Sequence, residues 1–311
     1  MPLFDTLIKE SPDQKDALQK SILKKIEGKT GRPIIAYLSS FRGEAAMMSQ
    51  EDKSAIVNTI VDLEKGSGID VIIHSGGGFA EAAEMLAHIL RSEFKHVRFI
   101  VPHSAKSAAT MLCLSGDEIL MYPSSELGPI DPQISGTISG PAQSIIDGFN
   151  DIKKVVEKDK RVNGAFIPLL NKMDVATIQR CQNAINYGKK LVKGWLTEYM
   201  LNGERDATQK AAYIAKFFSS HNKHLTHGKP IKLHDLQKMK LKVRNILTDF
   251  PDIANDIWEF YCRYELIFQE KSAIAKIIMS KNGLIVRITP QLQLQFTPPT
   301  IPQPPTSKIE K

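Results

Sequence analysis

The sequence predicts an α/β protein whose core is a parallel sheet covered by helices on both faces. Three observations carry this expectation. Short, almost uninterrupted apolar runs recur between residues 33 and 122, segments with helical spacing separate them, and turn-forming residues mark their boundaries. Strands buried on both faces lose the apolar/polar alternation of a half-exposed sheet. Continuous apolar runs separated by helices therefore point to parallel βαβ units with right-handed crossovers. A chain of 311 residues is long enough for a full α/β domain and a smaller appendage.

The elements follow in order. Residues 11–28 (SPDQKDALQKSILKKIEG) read as an amphipathic helix opened by Ser11-Pro12 and closed by Gly28. Pro33–Ser40 is short and apolar enough for a strand, and Glu51–Lys65 has helical spacing. Asp70–Ser75 is the next strand, and Gly78–Glu93 is a helix with Ala82, Ala83, Leu86, Ile89 and Leu90 on one face. Val97–Pro102 is a strand, Ser107–Leu114 a short apolar helix, and Glu118–Tyr122 another strand. From Pro123 to Pro141 the chain is dense in Gly, Pro and Ser; loops of this length inside a compact domain tend to be functional. Helical patterns resume at Ala142–Lys160, Asp174–Asn202, Ala207–Phe218 and Ile253–Lys271, and Ser272–Ile288 ends in a short strand, GLIVRI. The expected organisation is an N-terminal helix (1–30), a core (31–200), a mainly helical C-terminal region (201–290) and a disordered Pro-rich tail (291–311). That tail offers a docking segment for a partner.

Composition narrows the function classes. Hydrophobic residues make up 42% and charged residues 24%, as in ordinary globular proteins. Cys113, Cys181 and Cys262 lie far apart without CxxC spacing, which fits buried thiols in a reducing compartment, so a cytoplasmic location is expected. No signal peptide and no membrane span are expected, because the N-terminus lacks a basic-then-apolar pattern and no window of about eighteen apolar residues exists. The net charge of +7 comes from lysines spread over helices, which argues against a nucleic-acid groove.

Two turns hold the chemistry. His74-Ser75-Gly76-Gly77-Gly78 follows one apolar strand, and Ser104-Ala-Lys-Ser107-Ala108-Ala-Thr-Met111 follows the next; each opens a helix. Successive glycines leave their N–H groups sterically open, and a helix start carries free N–H groups and positive potential. A nucleophilic hydroxyl and backbone donors would thus emerge at the same end of neighbouring strands, as an acyl-transfer site requires. Neither turn is decisive alone. The glycine run lacks GxGxxG and GK[ST], so it is no standard phosphate loop, and Ser107 by position reads equally as a helix N-cap.

The surrounding motifs resemble the Clp-fold serine peptidases, a group that includes the Clp proteolytic subunit and signal peptide peptidase A. The branch most similar is serine dehydrogenase proteinase. The resemblance runs through His74-Ser-Gly-Gly-Gly, Ala82-Ala83-Glu84, Leu90-Arg91, Pro102 to Thr110, Leu114 to Met121 and Glu126 to Gln133. It continues in Cys181–Met200 and His221–Ile231 and covers roughly residues 33–290. It implies a Clp/crotonase-type core and a peptidase that forms an acyl-enzyme on Ser107. The backbone N–H groups of Gly77 and Ala108 would form the oxyanion hole, and Gly76, Gly78 and Asp131 would border the substrate cleft. Gly76 stands where the family has proline, which leaves that turn looser.

The base is less determined. The neighbourhood Gly128-Pro-Ile-Asp131-Pro holds no histidine where the Clp proteolytic subunit has one, which disfavours a Ser-His-Asp arrangement. Branches that resemble the membrane-bound peptidases use a lysine instead, implying a Ser-Lys dyad with Lys153 or Lys154. Lys153 falls at the edge of an apolar face and Lys154 fits the family offset, so both stay open. Asp131 either orients the base and lines the cleft or serves as an Asx-Pro turn former. His74 and His103 read as core or surface residues, and Lys106 as a surface lysine near the cleft. His221, His224 and His227 raise a metal set, but their spacing is imperfect and no carboxylate or cysteine sits close by, so no metal and no cofactor is expected. The expected partners are a peptide or protein substrate and further copies of the chain in a homo-oligomer. Two competing functions are a crotonase-like acyl-CoA enzyme, which SAKSAAT and GPIDPQ fit poorly, and an inactive Clp-fold interaction module.

Overall fold

In a computed structural model of the chain, residues 12–159, 163–170 and 175–289 are described, together with Leu3 and Leu7. Helix α1 (Pro12–Thr30) leads into β1 (Ile34–Ser39), and a 3-10 turn at Glu44–Ala46 precedes α2 (Asp52–Ile60). Strand β2 (Gly66–His74), α3 (Ala80–Glu93), β3 (Phe94–Val101), the two-residue β4 (Ser104–Ala105), α4 (Ala108–Cys113) and β5 (Glu118–Met121) follow. Three short strands, β6 (Glu126–Leu127), β7 (Gln133–Ile134) and β8 (Gly140–Pro141), occupy the Gly/Pro-rich loop. Helices α5 (Ala142–Lys158), α6 (Asn163–Leu170), α7 (Val175–Glu198), α8 (Ala207–Ser219) and α9 (His221–His224) come next. The remaining elements are β9 (Ile231–Lys232), α10 (Leu233–Lys238), β10 (Val243–Asn245), α11 (Ile246–Asp249), α12 (Pro251–Glu270), β11 (Ile274–Ser280) and β12 (Leu284–Ile288).

The main sheet has the order β10-β5-β3-β2-β1-β11-β12. The first five strands run parallel; β11 is antiparallel to β1, and β12 is antiparallel to β11. Side chains alternate between faces, so each apolar run feeds two cores at once. Ile35, Tyr37, Val71, Ile73, Phe99, Val101 and Ile119 point to the face covered by α2, α3, α4, α7 and α8. Ala36, Leu38, Ile72, Ile100 and Leu120 point to the other, covered by α1 and α12. Each fully buried Ile or Leu contributes about 1.5–3 kcal/mol relative to exposure, so neither face can be solvated without unfolding.

One polar residue interrupts this pattern. Asp70, in the middle of β2 and fully buried, accepts two hydrogen bonds from Arg98 on β3 (2.9 and 2.6 Å) and one from Arg32 before β1 (2.8 Å). The arginine pair supplies charge-assisted hydrogen bonds to this buried carboxyl and ties three strands together. Gly68 lets the Arg32 guanidinium pack closely, since a Cβ at that position would lie 2.7 Å from it.

Several boundaries move from expectation. Helix α1 passes through Gly28 and stops at Gly31, which has φ 64° and donates its N–H to the Glu27 carbonyl at 2.8 Å. Strands β2 and β3 start at Gly66 and Phe94 rather than Asp70 and Val97, because the residues ahead of the apolar runs already pair, Gly66 opposite Phe94 and Gly68 opposite His96. The C-terminal region holds more sheet than the single expected strand. Its β10 pairs with β5, and its β11 pairs with β1. Strand β11 was hidden by Lys276 inside IAKIIMS; that lysine is buried and paired to Asp52 at 2.7 Å. All three cysteines are free and buried. Among the described residues no helix is long and apolar enough to cross a membrane. The Pro-rich tail expected from 291 lies outside the described residues.

Candidate active site

The two turns singled out in the sequence are joined side by side. Ser75 bridges Ala105 in parallel, its N–H donating to the Ser104 carbonyl (3.1 Å) while the Lys106 N–H donates to the Ser75 carbonyl (2.9 Å). Their contact is close enough to dictate a glycine. Gly77 has φ 96°, and a Cβ there would lie 2.5 Å from the Lys106 carbonyl oxygen, 2.7 Å from Ser107 Cβ and 3.0 Å from the Ala108 nitrogen. Gly78 is fixed from the other side, where Met48 N–H donates to the Gly77 carbonyl (2.8 Å) and Phe79 N–H to the Met48 carbonyl (2.9 Å). Gly76 differs: its φ is not positive, and an added Cβ would meet only the exposed Phe41 ring, at 3.2 Å.

Ser107 occupies the N-cap position of α4 with φ 51° and ψ −121°, a conformation rare for a residue bearing a Cβ. Its hydroxyl makes no capping hydrogen bond. The side chain instead lines a cleft of about 790 Å³ shared with Gly76, Gly77, Gly78 and Ala108. The Ala108 N–H is the first of α4 and by position lacks an intrahelical acceptor. The Gly77 N–H donates to Ser75 Oγ at 3.1 Å, and Ser75 Oγ also receives the Ser39 hydroxyl at 3.0 Å. Backbone strain at a serine that does no capping is the usual mark of a positioned reactive group. Apolar side chains, among them Phe41, Met47, Phe79, Met111 and Ile134, form the rest of the wall.

The structure does not bring the two candidate lysines to Ser107. Lys153 and Lys154 project from α5 with side chains 63% and 74% exposed, the first paired with Glu157 at 3.8 Å and the second with Asp151 at 3.1 Å. Neither side chain lines the cleft that holds Ser107. Lys106 is equally committed, bonded to Glu126 (2.6 Å) and to the Leu127 carbonyl (3.2 Å). His103 stacks on Tyr261, with Nδ1 2.9 Å from Ser104 Oγ. His74 is buried against the same tyrosine, and desolvation pushes its pKa down to about 3.

Asp131 does not itself line the cleft; it sits buried between Ile130 and Pro132, which do. The Gly128 N–H donates to Thr110 Oγ1 on α4 (2.9 Å), and the Ile130 N–H donates to the Phe218 carbonyl on α8 (2.9 Å). These bonds turn the loop so that Ile130 and Pro132 line the cleft while Asp131 itself is 2% exposed. Its carboxylate accepts from His227 Nδ1 (2.7 Å), His221 Nδ1 (2.9 Å) and Gln133 Nε2 (3.0 Å). Burial alone would raise the Asp131 carboxyl, but hydrogen bonds and charge from His227 and His221 outweigh it and hold it below the usual range. His224 takes a structural place, with Nε2 2.7 Å from the Phe217 carbonyl and its ring edge-on to Phe217. Among the described residues no three of His, Cys, Asp and Glu are arranged to hold a metal ion.

The sequence reading missed His227 as a member of this site. It lines the cleft that holds Ser107, yet in the sequence it appears only as one of three histidines of uncertain use. Two local features place it. Leu225, left-handed at φ 64° after the short α9, reverses the chain, and Asp131 captures the returning imidazole from 96 positions upstream.

Comparison with known proteins gives the family of the chain. An uncharacterized protein of Methanocaldococcus jannaschii is 31% identical over 211 residues, covering 68% of this chain and 64% of its own length. A second uncharacterized protein of that organism is 28% identical over 211 residues, covering 68% and 63%. The chain thus spans just under two thirds of the length of these curated relatives. A solved mutant of a membrane-bound stomatin-specific protease superposes with a TM-score of 0.37 at 15% identity, covering 68% of this chain and 79% of that one. The family match is direct: a profile for ClpP-like SDH-type serine proteinases spans residues 14–281, and the chain belongs to that family.

Proposed function

We propose that this chain is a serine peptidase that hydrolyses peptide bonds through an acyl-enzyme on Ser107. The observation that carries the reading is the strained, non-capping Ser107 at the mouth of a cleft, pressed against Gly77. A hydroxyl serving only the helix would turn back to the N–H groups of α4; this one does not. As Ser107 Oγ attacks a scissile carbonyl, negative charge grows on the carbonyl oxygen. The N–H groups of Ala108 and Gly77 are the donors to receive it, the Gly77 donor leaving Ser75 Oγ as the oxyanion forms. Removing one such donor typically costs 10²–10³ in kcat. The apolar wall formed by Met111, Ile130 and Ile134 favours an apolar side chain beside the scissile bond.

A lysine base draws no support from the positions of Lys153 and Lys154, both exposed on the outside of α5 and paired with carboxylates. The nucleophile and oxyanion-hole assignments do not depend on that choice. The test is hydrolysis of fluorescein-labelled casein by the wild-type chain and by Ser107→Ala. The variant should keep its fold and lose hydrolysis; undiminished turnover would remove Ser107 from the chemistry.

A further inference from the structure

A serine nucleophile needs a group to take its proton, and the lysines of the sequence reading are elsewhere. The cleft itself offers few ionisable side chains: Glu44, Glu81, Tyr187 and His227. Glu44 and Glu81 are exposed carboxylates at the rim, and a carboxylate is an intrinsically weaker base than an imidazole. Tyr187 is engaged with Glu84 on α3, and burial together with that carboxylate pushes its hydroxyl up, away from proton acceptance at neutral pH. His227 is the remaining candidate.

We propose that His227 is the general base and acid for Ser107, with Asp131 as its positioning residue. This rests on the peptidase reading above and goes beyond it by naming the proton carrier. An ionised carboxylate can only accept hydrogen bonds, so the 2.7 Å contact to Asp131 requires the His227 Nδ1 to carry the hydrogen. The other ring nitrogen, Nε2, is then unprotonated in the neutral ring and holds the lone pair. Asp131 is itself fixed by Gln133 and by its place between two cleft-lining residues, so the ring orientation is preset. His221 shares the carboxylate, but it is His227 that lines the cleft. The roles are those of a serine triad, in the chain order nucleophile 107, acid 131, base 227.

The proton balance is complete without a co-reactant. Nε2 takes the Ser107 Oγ proton as Oγ bonds to the carbonyl carbon and the C=O electron pair moves onto oxygen. When the tetrahedral species collapses, the C–N bond breaks and the imidazolium gives its proton to the leaving amine. Water then attacks the acyl-enzyme, losing a proton to Nε2, and collapse returns that proton to Ser107 as the acid product departs.

The test uses the full chain, fluorescein-labelled casein and a fluorophosphonate–rhodamine probe. His227→Ala should lower kcat by about 10²–10⁴ with little change in KM. Added imidazole should restore part of that rate, an effect that lost packing would not show. His227→Gln keeps bulk and polarity and should be equally slow, which guards against a folding defect in the alanine variant. Asp131→Asn should lower kcat by about 10³–10⁴, because an amide facing Nδ1 selects the wrong tautomer. Full activity in both His227 variants would overturn the assignment. So would loss of activity in Lys153→Ala or Lys154→Ala while His227→Ala stays active. Retained casein hydrolysis in Ser107→Ala is a different failure: it removes the peptidase reading itself, whatever His227 does.

Discussion

Gly77→Ala is the most demanding test of the close approach between the two turns. Alanine at φ 96° is strained by about 1–3 kcal/mol before any contact is counted. Its methyl would then meet the Lys106 carbonyl oxygen at 2.5 Å, Ser107 Cβ at 2.7 Å and the Ala108 nitrogen at 3.0 Å. All three belong to backbone or to a Cβ, so no side chain can swing away, and overpacking of this kind costs about 1–3 kcal/mol more. Relief comes only from separating the turns, which moves the Gly77 and Ala108 N–H groups apart. Stability should fall by about 2–6 kcal/mol, and kcat per folded molecule by about 10²–10³. Gly76→Ala is the matched control. Its methyl meets only the half-exposed Phe41 ring at 3.2 Å, so stability should change by less than about 1 kcal/mol. Urea denaturation supplies the folded fraction and casein hydrolysis the rate. Wild-type stability and rate in Gly77→Ala, with impairment in Gly76→Ala, would refute the reasoning about which glycine the site depends on.

Further outcomes follow from single observations. Ser107→Gly should melt higher than Ser107→Ala by the equivalent of about 1 kcal/mol, since glycine tolerates φ 51° and ψ −121°; equal melting temperatures would mean the turn is unstrained. Asp70→Ala leaves Arg98 and Arg32 without their buried counter-charge and should cost about 3–5 kcal/mol in urea denaturation. His74, buried with a pKa of about 3 against an ordinary 6.5, makes the unfolded chain bind more protons between those values. Its contribution is therefore intact above pH 6.5 and lost as pH falls, by about 2 kcal/mol at pH 5, and His74→Phe should flatten that part of the stability–pH curve. Phe79→Ser removes an exposed aromatic from the cleft mouth and should raise KM roughly 3–10-fold at unchanged kcat in steady-state peptide hydrolysis.

The parallel core was legible because its strands are buried on both faces, and double burial writes itself into a sequence as unbroken apolar runs. Lys276 shows the limit. A buried charge satisfied by Asp52 from 224 positions away looks like a break in the pattern, so β11 was hidden. The paired turns were legible for a related reason: glycine at 77 and a small residue after Ser107 are forced by contact between neighbouring strands. A lysine base was implied by the resemblance; helical spacing favoured Lys153 and the family offset Lys154, and neither reports what α5 packs against. His227 could not be found by spacing at all, since its role depends on a left-handed residue at Leu225 and on a carboxylate 96 residues earlier.

The most direct measurement is the site of covalent attachment of a fluorophosphonate. After reaction of the full wild-type chain, digestion and mass spectrometry should place one phosphonyl adduct on the peptide containing Ser107, and unlabelled wild-type material should carry none. An adduct on a different serine, or casein hydrolysis that continues while Ser107 is fully phosphonylated, would contradict the assignment of Ser107 as the nucleophile.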